Sequence, residues 1–378
     1  MKKRKQSFLM VLIAFLVVVS AACQSAPAVE SQGAYDLQIT QIDTTNFPLV
    51  DVYISVRDKN GEPQVINTSK LQLLENGVPV QNQNIQGAGE VGPLSTILLI
   101  DNSGSMNFAD KLKTAKTVAK EYIDQMRPGD QVGVITFNTQ VQVVQDLTTQ
   151  QVVLKEAIDG IRASNDTALV DALVTAINIL NPVAGRKAII ALTDGMDNQS
   201  TSTPDEALAA IGFGGLSIST IGFGEIPESG EEADLYSGID ENALRYIAQN
   251  AGGRYGYAAN QGELSALYDQ LRRALQSEVV ISYTTPLTLR DGVLRGLTVT
   301  LSDQYSGVGG ASQTSFNPGG LVPEVAQPAS WLLFFGVLAG MIVLLLLPVF
   351  LQSQIGQKSS TKKKKGGKKK KIKITLKD

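Results

Sequence analysis

The sequence predicts an α/β fold: a doubly wound, mostly parallel sheet inserted in, or flanked by, a small β-sandwich, with a transmembrane helix near the C-terminus. Near-continuous apolar runs alternate with amphipathic helical stretches between residues 94 and 276, which is typical of a parallel sheet covered on both faces. Short strands of alternating polar and apolar residues lie on both sides of this block. A run of 21 uncharged residues, 331–351, follows them.

The composition excludes several chemistries. The chain has 378 residues, with no histidine and one cysteine. Without histidine it cannot form a Ser-His-Asp or Cys-His nucleophile system or a histidine-ligated zinc site. A single cysteine excludes an internal disulfide framework. The length suits one domain of ordinary size with attachments, and the missing catalytic groups favour a binding protein over an enzyme.

The charge of the chain is unevenly distributed. The formal net charge is −3, but positions 2–5 are all basic and the segment after Leu351 carries eleven lysines. Between Cys23 and Ser330 the chain has 18 basic and 35 acidic residues, so this part carries a net charge of about −17. Such an asymmetry indicates either a membrane topology or a tail that binds polyanions.

Residues 1–23 are predicted to be a secretory signal peptide. Four basic residues precede the apolar stretch from Phe8 to Ala22, and small residues lie next to Cys23. This arrangement resembles a bacterial lipobox, which would make Cys23 the lipidated first residue of the mature protein, although Ser20 stands where lipoboxes normally have leucine. Cleavage nearby and an uncleaved anchor are the alternatives. The small and polar residues 24–34 are predicted to be a tether.

Residues 331–351 are predicted to be a transmembrane helix that follows a linker, 317–330. At about 1.5 Å per residue this segment spans ~31 Å, the thickness of the hydrocarbon core of a bilayer. The lysine-rich tail, 352–378, is expected in the cytoplasm and the acidic middle outside a bacterial cell membrane, by the positive-inside rule. A buried helix of a soluble core is the alternative for 331–351. The tail is expected to contact anionic lipid rather than nucleic acid.

The segments 35–91 and 278–316 are predicted to be β-structure. Val52, Ile54 and Val56 alternate with polar residues in the first segment, and Leu297 and Val299 alternate in the same way in the second. Each segment alone has too few strands for a stable sheet. We therefore expect one composite β-sandwich with residues 94–276 inserted into it. Two separate hairpins are the alternative.

Residues 94–276 are predicted to form the α/β domain. Short apolar runs are its expected strands: 96–100, 132–137, 188–192 and 218–223. Apolar residues from Phe108 to Met126 recur at helical spacing and predict a helix that Pro128 ends. Doubly wound folds place their ligand sites at the carboxyl ends of the strands.

Acidic and hydroxyl side chains follow two of these strands. Asp101, Ser103 and Ser105 come at alternate positions after the first strand, and Asp194 follows another. Thr167 lies at a predicted helix start. Carboxylate and hydroxyl oxygens are hard ligands that suit Mg²⁺ or Mn²⁺. The sequence therefore predicts a divalent-metal site at this edge of the sheet.

This segment resembles the von Willebrand factor type A domain, whose metal-ion-dependent adhesion site combines a D-x-S-x-S loop with a threonine and an aspartate on two further loops. Asp101, Ser103 and Ser105 match the loop, Thr167 stands in a T-A-L-x-D-A-L context, and Asp194 stands in an L-T-D-G context. The two flanking β segments also look like the β extensions of bacterial secreted members. The resemblance implies a divalent ion, usually Mg²⁺, with an open coordination position for a carboxylate of a partner protein.

The function expected from these features is adhesion or complex assembly by an envelope-anchored binding protein, not an enzyme. A metal-dependent hydrolase or phosphatase is one alternative, although Ser103 stands where haloacid-dehalogenase-type phosphatases carry a second aspartate. A structural or regulatory membrane component, in which the metal site serves stability, is another. Acidic residues between Glu225 and Asp234 follow a strand and either shape partner choice or form a solvated loop.

Overall fold

The computed structural model describes residues 35–224, apart from 82, 88, 89 and 165, together with 238–301, 310–320 and 334–344. Cys23 and the rest of the signal segment, the tether, the acidic residues 225–234 and the lysine-rich tail lie outside these residues. The chain divides into two compact units, Met1–Glu324 and Val325–Asp378.

The first unit contains a six-stranded central sheet. Its strands are β6 (Leu94–Asp101), β7 (Gln131–Phe137), β8 (Val141–Thr148), β9 (Arg186–Thr193), β10 (Ser217–Phe223) and β11 (Gly252–Ala258). Their order is β11-β10-β9-β6-β7-β8, and all neighbours are parallel except β7 and β8. The prediction of a mostly parallel sheet is confirmed. The edge strands β8 and β11 were not predicted, because they are only partly buried and lack a continuous apolar run.

Helices cover both faces of this sheet. They are α1 (Lys111–Asp124), α2 (Gln151–Gly160), α3 (Leu169–Leu180), α4 (Pro204–Ala209), α5 (Glu241–Asn250) and α6 (Gln261–Gln276). Val118 of α1 and Leu154 of α2 join the apolar cluster on one face, and Leu173 of α3 and Leu244 of α5 join the cluster on the other. The alternation of side chains along β6 supplies both clusters, so every residue of that strand is buried.

Helix α1 begins three residues later than the spacing of apolar residues predicts. A 3-10 helix, Gly104–Asp110, precedes it, and within this segment Phe108 has an extended backbone with ψ of 147°. Ala109 and Asp110 have left-handed φ angles of 51° and 55°. This turn leaves the Phe108 side chain outside the helix and 69% exposed. Left-handed conformations of non-glycine residues are unfavourable by about 1–3 kcal/mol and cluster at functional sites.

Two four-stranded sheets form a β-sandwich from both flanking segments. Their strands are β1 (Tyr35–Asp43), β2 (Leu49–Asp58), β3 (Leu71–Glu75), β4 (Val78–Pro79), β5 (Asn84–Gln86), β12 (Val279–Thr284), β13 (Arg295–Leu301) and β14 (Gly310–Phe316). One sheet has the order β1-β2-β12-β5 and the other β14-β13-β3-β4. Each sheet therefore pairs strands that precede the α/β domain with strands that follow it. Ile54, Leu73, Ile281 and Val299 are fully buried in the shared core.

The β-sandwich packs on the amino edge of the central sheet, where β9 and β10 begin. The Gln41 amide of β1 donates to the carbonyl oxygens of Gly185 (2.9 Å) and Gly214 (2.7 Å) and accepts from the Lys187 amide (2.9 Å). Arg186 and Glu278 form a buried ion pair between the start of β9 and the residue before β12, with Nε and Oε2 3.2 Å apart. Every polar atom of the Gln41 side-chain amide is thus used in holding the two parts together.

The described part of the second unit is a helix, 334–344, which we name α7. It covers eleven residues of the transmembrane segment predicted at 331–351, and the other residues of that segment lie outside the described ones. Among the described residues, no helix has both the length and the apolar character needed to cross a membrane.

Candidate metal centre

The candidate site lies at the carboxyl edge of the central sheet. Strands β6 and β9 are adjacent and parallel, so Asp101 at the end of β6 and Asp194 just after β9 lie at the same edge. Both carboxylates are buried, and so are Ser103 and Thr167. The parallel register of two buried strands therefore brings together residues that are 93 positions apart in the chain.

The Asp101 carboxylate is held by hydrogen bonds on both oxygens. Its Oδ1 accepts from the backbone amide of Ser103 at 2.7 Å, and its Oδ2 accepts from the Thr193 hydroxyl at 2.6 Å. Burial raises the pKa of Asp101 to about 6; these hydrogen bonds oppose the shift, and the nearby charge of Asp194 adds to it. A buried carboxylate whose charge is this unfavourable is stabilised by a cation placed beside it.

A chain of hydroxyl groups connects the first loop to Asp194. The Ser105 hydroxyl donates to Asp194 Oδ1 at 2.7 Å, and the hydroxyl oxygens of Ser103 and Ser105 are 3.0 Å apart. Because Ser105 gives its only hydroxyl proton to Asp194, Ser103 must be the donor to Ser105. The oxygens of both serines keep lone pairs that can face a cation.

The fourth predicted ligand, Thr167, lies against the Asp194 loop. A Cβ atom at Gly195 would be 3.3 Å from the Thr167 hydroxyl, so the two loops are in contact. Asn198 fixes this arrangement with two hydrogen bonds. Its side-chain oxygen accepts from the backbone amide of Thr167 at 3.2 Å, and its backbone amide donates to the Thr167 carbonyl at 3.1 Å. Asp197 adds a hydrogen bond of 2.8 Å from the amide of Val170. The structure thus places all three predicted loops at one point.

Lys111, at the first turn of α1, is a charged neighbour that the sequence did not indicate. Its ammonium lies 2.7 Å from Asp194 Oδ2, while the Asp194 side chain is fully buried and that of Lys111 is 22% exposed. Asp194 therefore has a cation beside it. Among the described residues, Asp101 forms no ion pair, so the charge of the two carboxylates is only half balanced by the protein.

These donors fit a hard divalent cation such as Mg²⁺ or Mn²⁺. Two carboxylates and three hydroxyls supply only oxygen, and the two serine hydroxyls already direct their protons elsewhere. No three His, Cys, Asp or Glu side chains in the described part of the chain are grouped to hold a metal. The candidate site has only two acidic ligands, and its other three ligands are hydroxyl groups. It is therefore a different type of site from a cluster of three or more His, Cys, Asp or Glu side chains.

Two large apolar side chains are exposed on the loops that carry the candidate ligands. Phe108 follows Ser105 by three residues and is 69% exposed, and Met196 follows Asp194 by two and is 52% exposed. Sequence reasoning assigned Phe108 to a helix and gave Met196 no role. Only the distorted backbone after Ser105 explains why Phe108 faces solvent.

Comparisons with known proteins agree with this fold. The family model of the von Willebrand factor type A domain matches residues 96–196. A UPF0353 protein of Nocardia farcinica is 29% identical over 213 residues, which are 49% of this chain and 64% of that protein. The chain therefore spans less than two thirds of that relative.

Two solved structures are also similar. One is the von Willebrand factor type A protein from Catenulispora acidiphila, with a TM-score of 0.44 and 15% identity over 79% of this chain and 76% of that one. The other is proximal thread matrix protein 1 from the mussel byssus with a zinc-occupied MIDAS motif, with a TM-score of 0.44 and 20% identity over 53% of this chain and 50% of that one. Residues 96–196 of this chain thus match the von Willebrand factor type A domain, and the chain is similar to bacterial UPF0353 proteins.

Proposed function

We propose that the α/β domain binds a protein partner through a divalent ion, Mg²⁺ or Mn²⁺, held at the carboxyl edge of the central sheet. The residues that would hold it are Asp101, Ser103, Ser105, Thr167 and Asp194. The observation that carries this proposal is the continuous hydrogen-bonded path from Ser103 through Ser105 to Asp194, because it joins two loops around oxygen donors of one chemical type.

The donor set suits ligand capture. An ion bound largely by neutral oxygens keeps a strong attraction for an outside anion, and Mg²⁺ retains exchangeable waters that a partner carboxylate can replace. The protein residues orient this site: Thr193 holds the Asp101 carboxylate, and Asn198 holds the Thr167 loop. Phe108 and Met196 add exposed apolar area of the kind enriched at protein interfaces.

We further propose that the protein is anchored in a bacterial cell membrane with the α/β domain outside the cytoplasm. The support is the charge distribution of the sequence, with basic ends around a middle of about −17 and apolar segments at 8–22 and 331–351. Lipidation of Cys23 would add a second attachment. The role is adhesion or complex assembly, and the proposed partner is an extracellular or envelope protein.

The test is capture of envelope proteins by the full-length chain in detergent, under three conditions. The wild type in Mg²⁺ is expected to retain a partner, whereas the wild type in EDTA and the Asp101→Ala variant in Mg²⁺ are expected to lose it. Equal capture in all three conditions would exclude metal-mediated binding.

One observation favours a second candidate, a metal-dependent phosphatase. The Asp194 loop itself contains no lysine, but the structure brings the Lys111 ammonium to Asp194. A lysine beside metal-binding carboxylates can stabilise a transferring phosphoryl group. Mg²⁺-dependent turnover of a generic phosphoester that is lost in both Asp101→Ala and Lys111→Ala would support this candidate, and no turnover by the wild type would exclude it.

A further inference from the structure

A groove of about 520 Å³ lies beside the metal loop, between the start of α1 and the end of α2. Four cationic side chains line it, and we call it the basic groove after them: Lys113, Lys116, Lys120 and Arg162. Only two carboxylates line it, those of Asp110 and Asp159.

The cations of the basic groove are only partly neutralised by the protein. Lys120 forms an ion pair of 2.7 Å with Asp159. Lys116 and Arg162 instead donate to backbone carbonyls near the end of α2, at 3.0 and 2.8 Å. Within the described part of the chain, Lys113, Lys116 and Arg162 form no ion pair. Burial, and then the charge of Arg162, lowers the pKa of Lys116, as expected where cations are crowded.

Contacts with the end of α2 explain why some of the cations of the basic groove are there, but not all of them. A helix C-terminus favours cations, so Lys116 and Arg162 have a structural role there. Lys113 is exposed, and its ammonium donates no hydrogen bond to the described residues. The stretch between Cys23 and Ser330 has only 18 basic residues and a net charge of about −17. A groove with four of these cations is therefore a local positive field on an acidic protein.

The basic groove borders the loop that carries Ser105. Met106 and Asn107 line the groove and directly follow Ser105, one of the candidate ligands. An extended partner chain advances by ~3.3 Å per residue. We expect a partner whose carboxylate occupies the metal's open position to reach the groove within a few residues, because the groove begins at the residues that follow Ser105.

We propose that the basic groove binds acidic residues adjacent to the metal-bound carboxylate, so that the partner presents a run of Asp or Glu in an extended protein segment. This inference rests on the proposed metal-mediated binding. It explains how an acidic protein selects an acidic partner: the metal fixes one carboxylate, and the groove attracts the neighbours of that carboxylate.

The probe is a fluorescein-labelled oligoglutamate peptide, and its binding to the full-length protein in detergent with Mg²⁺ is measured by fluorescence anisotropy. The groove variant is Lys113→Glu with Lys116→Glu. The matched control is Lys59→Glu with Lys70→Glu, which changes the charge equally in the β-sandwich and also combines one exposed and one half-buried lysine. We expect the groove variant to bind about tenfold more weakly and the control to bind as the wild type does.

Three results would overturn the inference: equal binding by the groove variant and the control, no binding by the wild type at about 1 mM peptide, or tighter binding of a DNA oligonucleotide of equal charge. EDTA and Asp101→Ala separate the inference from the proposed function. If the groove variant loses affinity while EDTA has no effect, the groove binds acidic segments but the metal-mediated function fails. If EDTA abolishes binding and the groove variant does not weaken it, the metal-mediated function stands and the groove inference fails.

Discussion

The two edges of the central sheet are built on opposite principles. At the amino edge, Gln41 satisfies three backbone groups and the buried pair of Arg186 and Glu278 lies under the β-sandwich. At the carboxyl edge, the Asp101 and Asp194 carboxylates face hydroxyl groups, with Lys111 as the nearby cation. Charges are paired and covered at one edge and only partly balanced at the other. The difference indicates that the amino edge holds the fold together, and it agrees with the proposal that the carboxyl edge binds other molecules.

The largest effect is expected at the amino edge. Replacing Glu278 with alanine would leave the Arg186 guanidinium buried without its partner, and breaking a buried pair in this way destabilises a protein by about 3–5 kcal/mol. Urea unfolding of the full-length protein would measure the loss. The matched control is Glu241→Ala, which removes an exposed pair with Arg245 and should change stability by less than about 1 kcal/mol. Similar losses of stability in both variants would contradict the conclusion that the Arg186–Glu278 pair holds the amino edge together.

The carboxyl edge should respond to pH when metal is removed. Burial raises the pKa of Asp101 to about 6, above the value of ~3.9 expected in the unfolded chain. The stability from this group is then fully present below about pH 4 and is lost as the pH rises through about 6. In EDTA, we expect the wild type to lose ~3 kcal/mol relative to Asp101→Asn between about pH 3 and about pH 8, as measured by urea unfolding at each pH. A difference that is constant with pH would contradict this.

A second substitution at the amino edge is expected to lower stability by a smaller amount and to leave the carboxyl edge unaffected. Replacing Gln41 with alanine leaves the buried carbonyl of Gly214 and the half-buried carbonyl of Gly185 without this donor, which is expected to destabilise the protein by ~2 kcal/mol. The rise in thermal midpoint on adding Mg²⁺ should be unchanged, because Gln41 lies at the other edge of the sheet. The exposed Gln72 is the control, and its alanine variant should match the wild type in both measurements. A lost Mg²⁺ response in Gln41→Ala would show that the edges are coupled.

The smallest expected effect concerns the cation at the carboxyl edge. The Lys111 ammonium lies on Asp194 and repels a second cation, so Lys111→Gln should bind Mg²⁺ several-fold more tightly than the wild type. Lys113→Gln, two residues along α1, is the control and should not change the affinity comparably. Weaker Mg²⁺ binding by Lys111→Gln would mean that this lysine supports the metal site.

The parts of the molecule that were predictable depend on local patterns. Strand β6 was predictable because every residue in it is buried, and its end at Asp101 followed from the polar residues after it. Strand β8 was not, because its exposed residues remove the apolar run. The candidate ligands were predictable because the D-x-S-x-S loop, the threonine and the aspartate follow one another along the chain in the order of the family motif.

The remaining features depend on contacts between residues that are distant in sequence. Lys111 and Asp194 are 83 positions apart, and Gln41 and Lys187 are 146 apart. No local pattern indicates which lysine of α1 reaches Asp194 or which glutamine of β1 faces the central sheet. The position of Phe108 depended on backbone angles at Ala109 and Asp110 that non-glycine residues seldom adopt.

The central claim is that the carboxyl edge of the central sheet binds a divalent ion, and isothermal titration calorimetry with Mg²⁺ and Mn²⁺ on the full-length protein tests it most directly. We predict saturable binding of one ion by the wild type and no binding by Asp101→Ala. Asp146→Ala, which removes an exposed acid of β8, is the control and should bind as the wild type does. Failure of the wild type to bind, or equal binding by Asp101→Ala, would contradict the account.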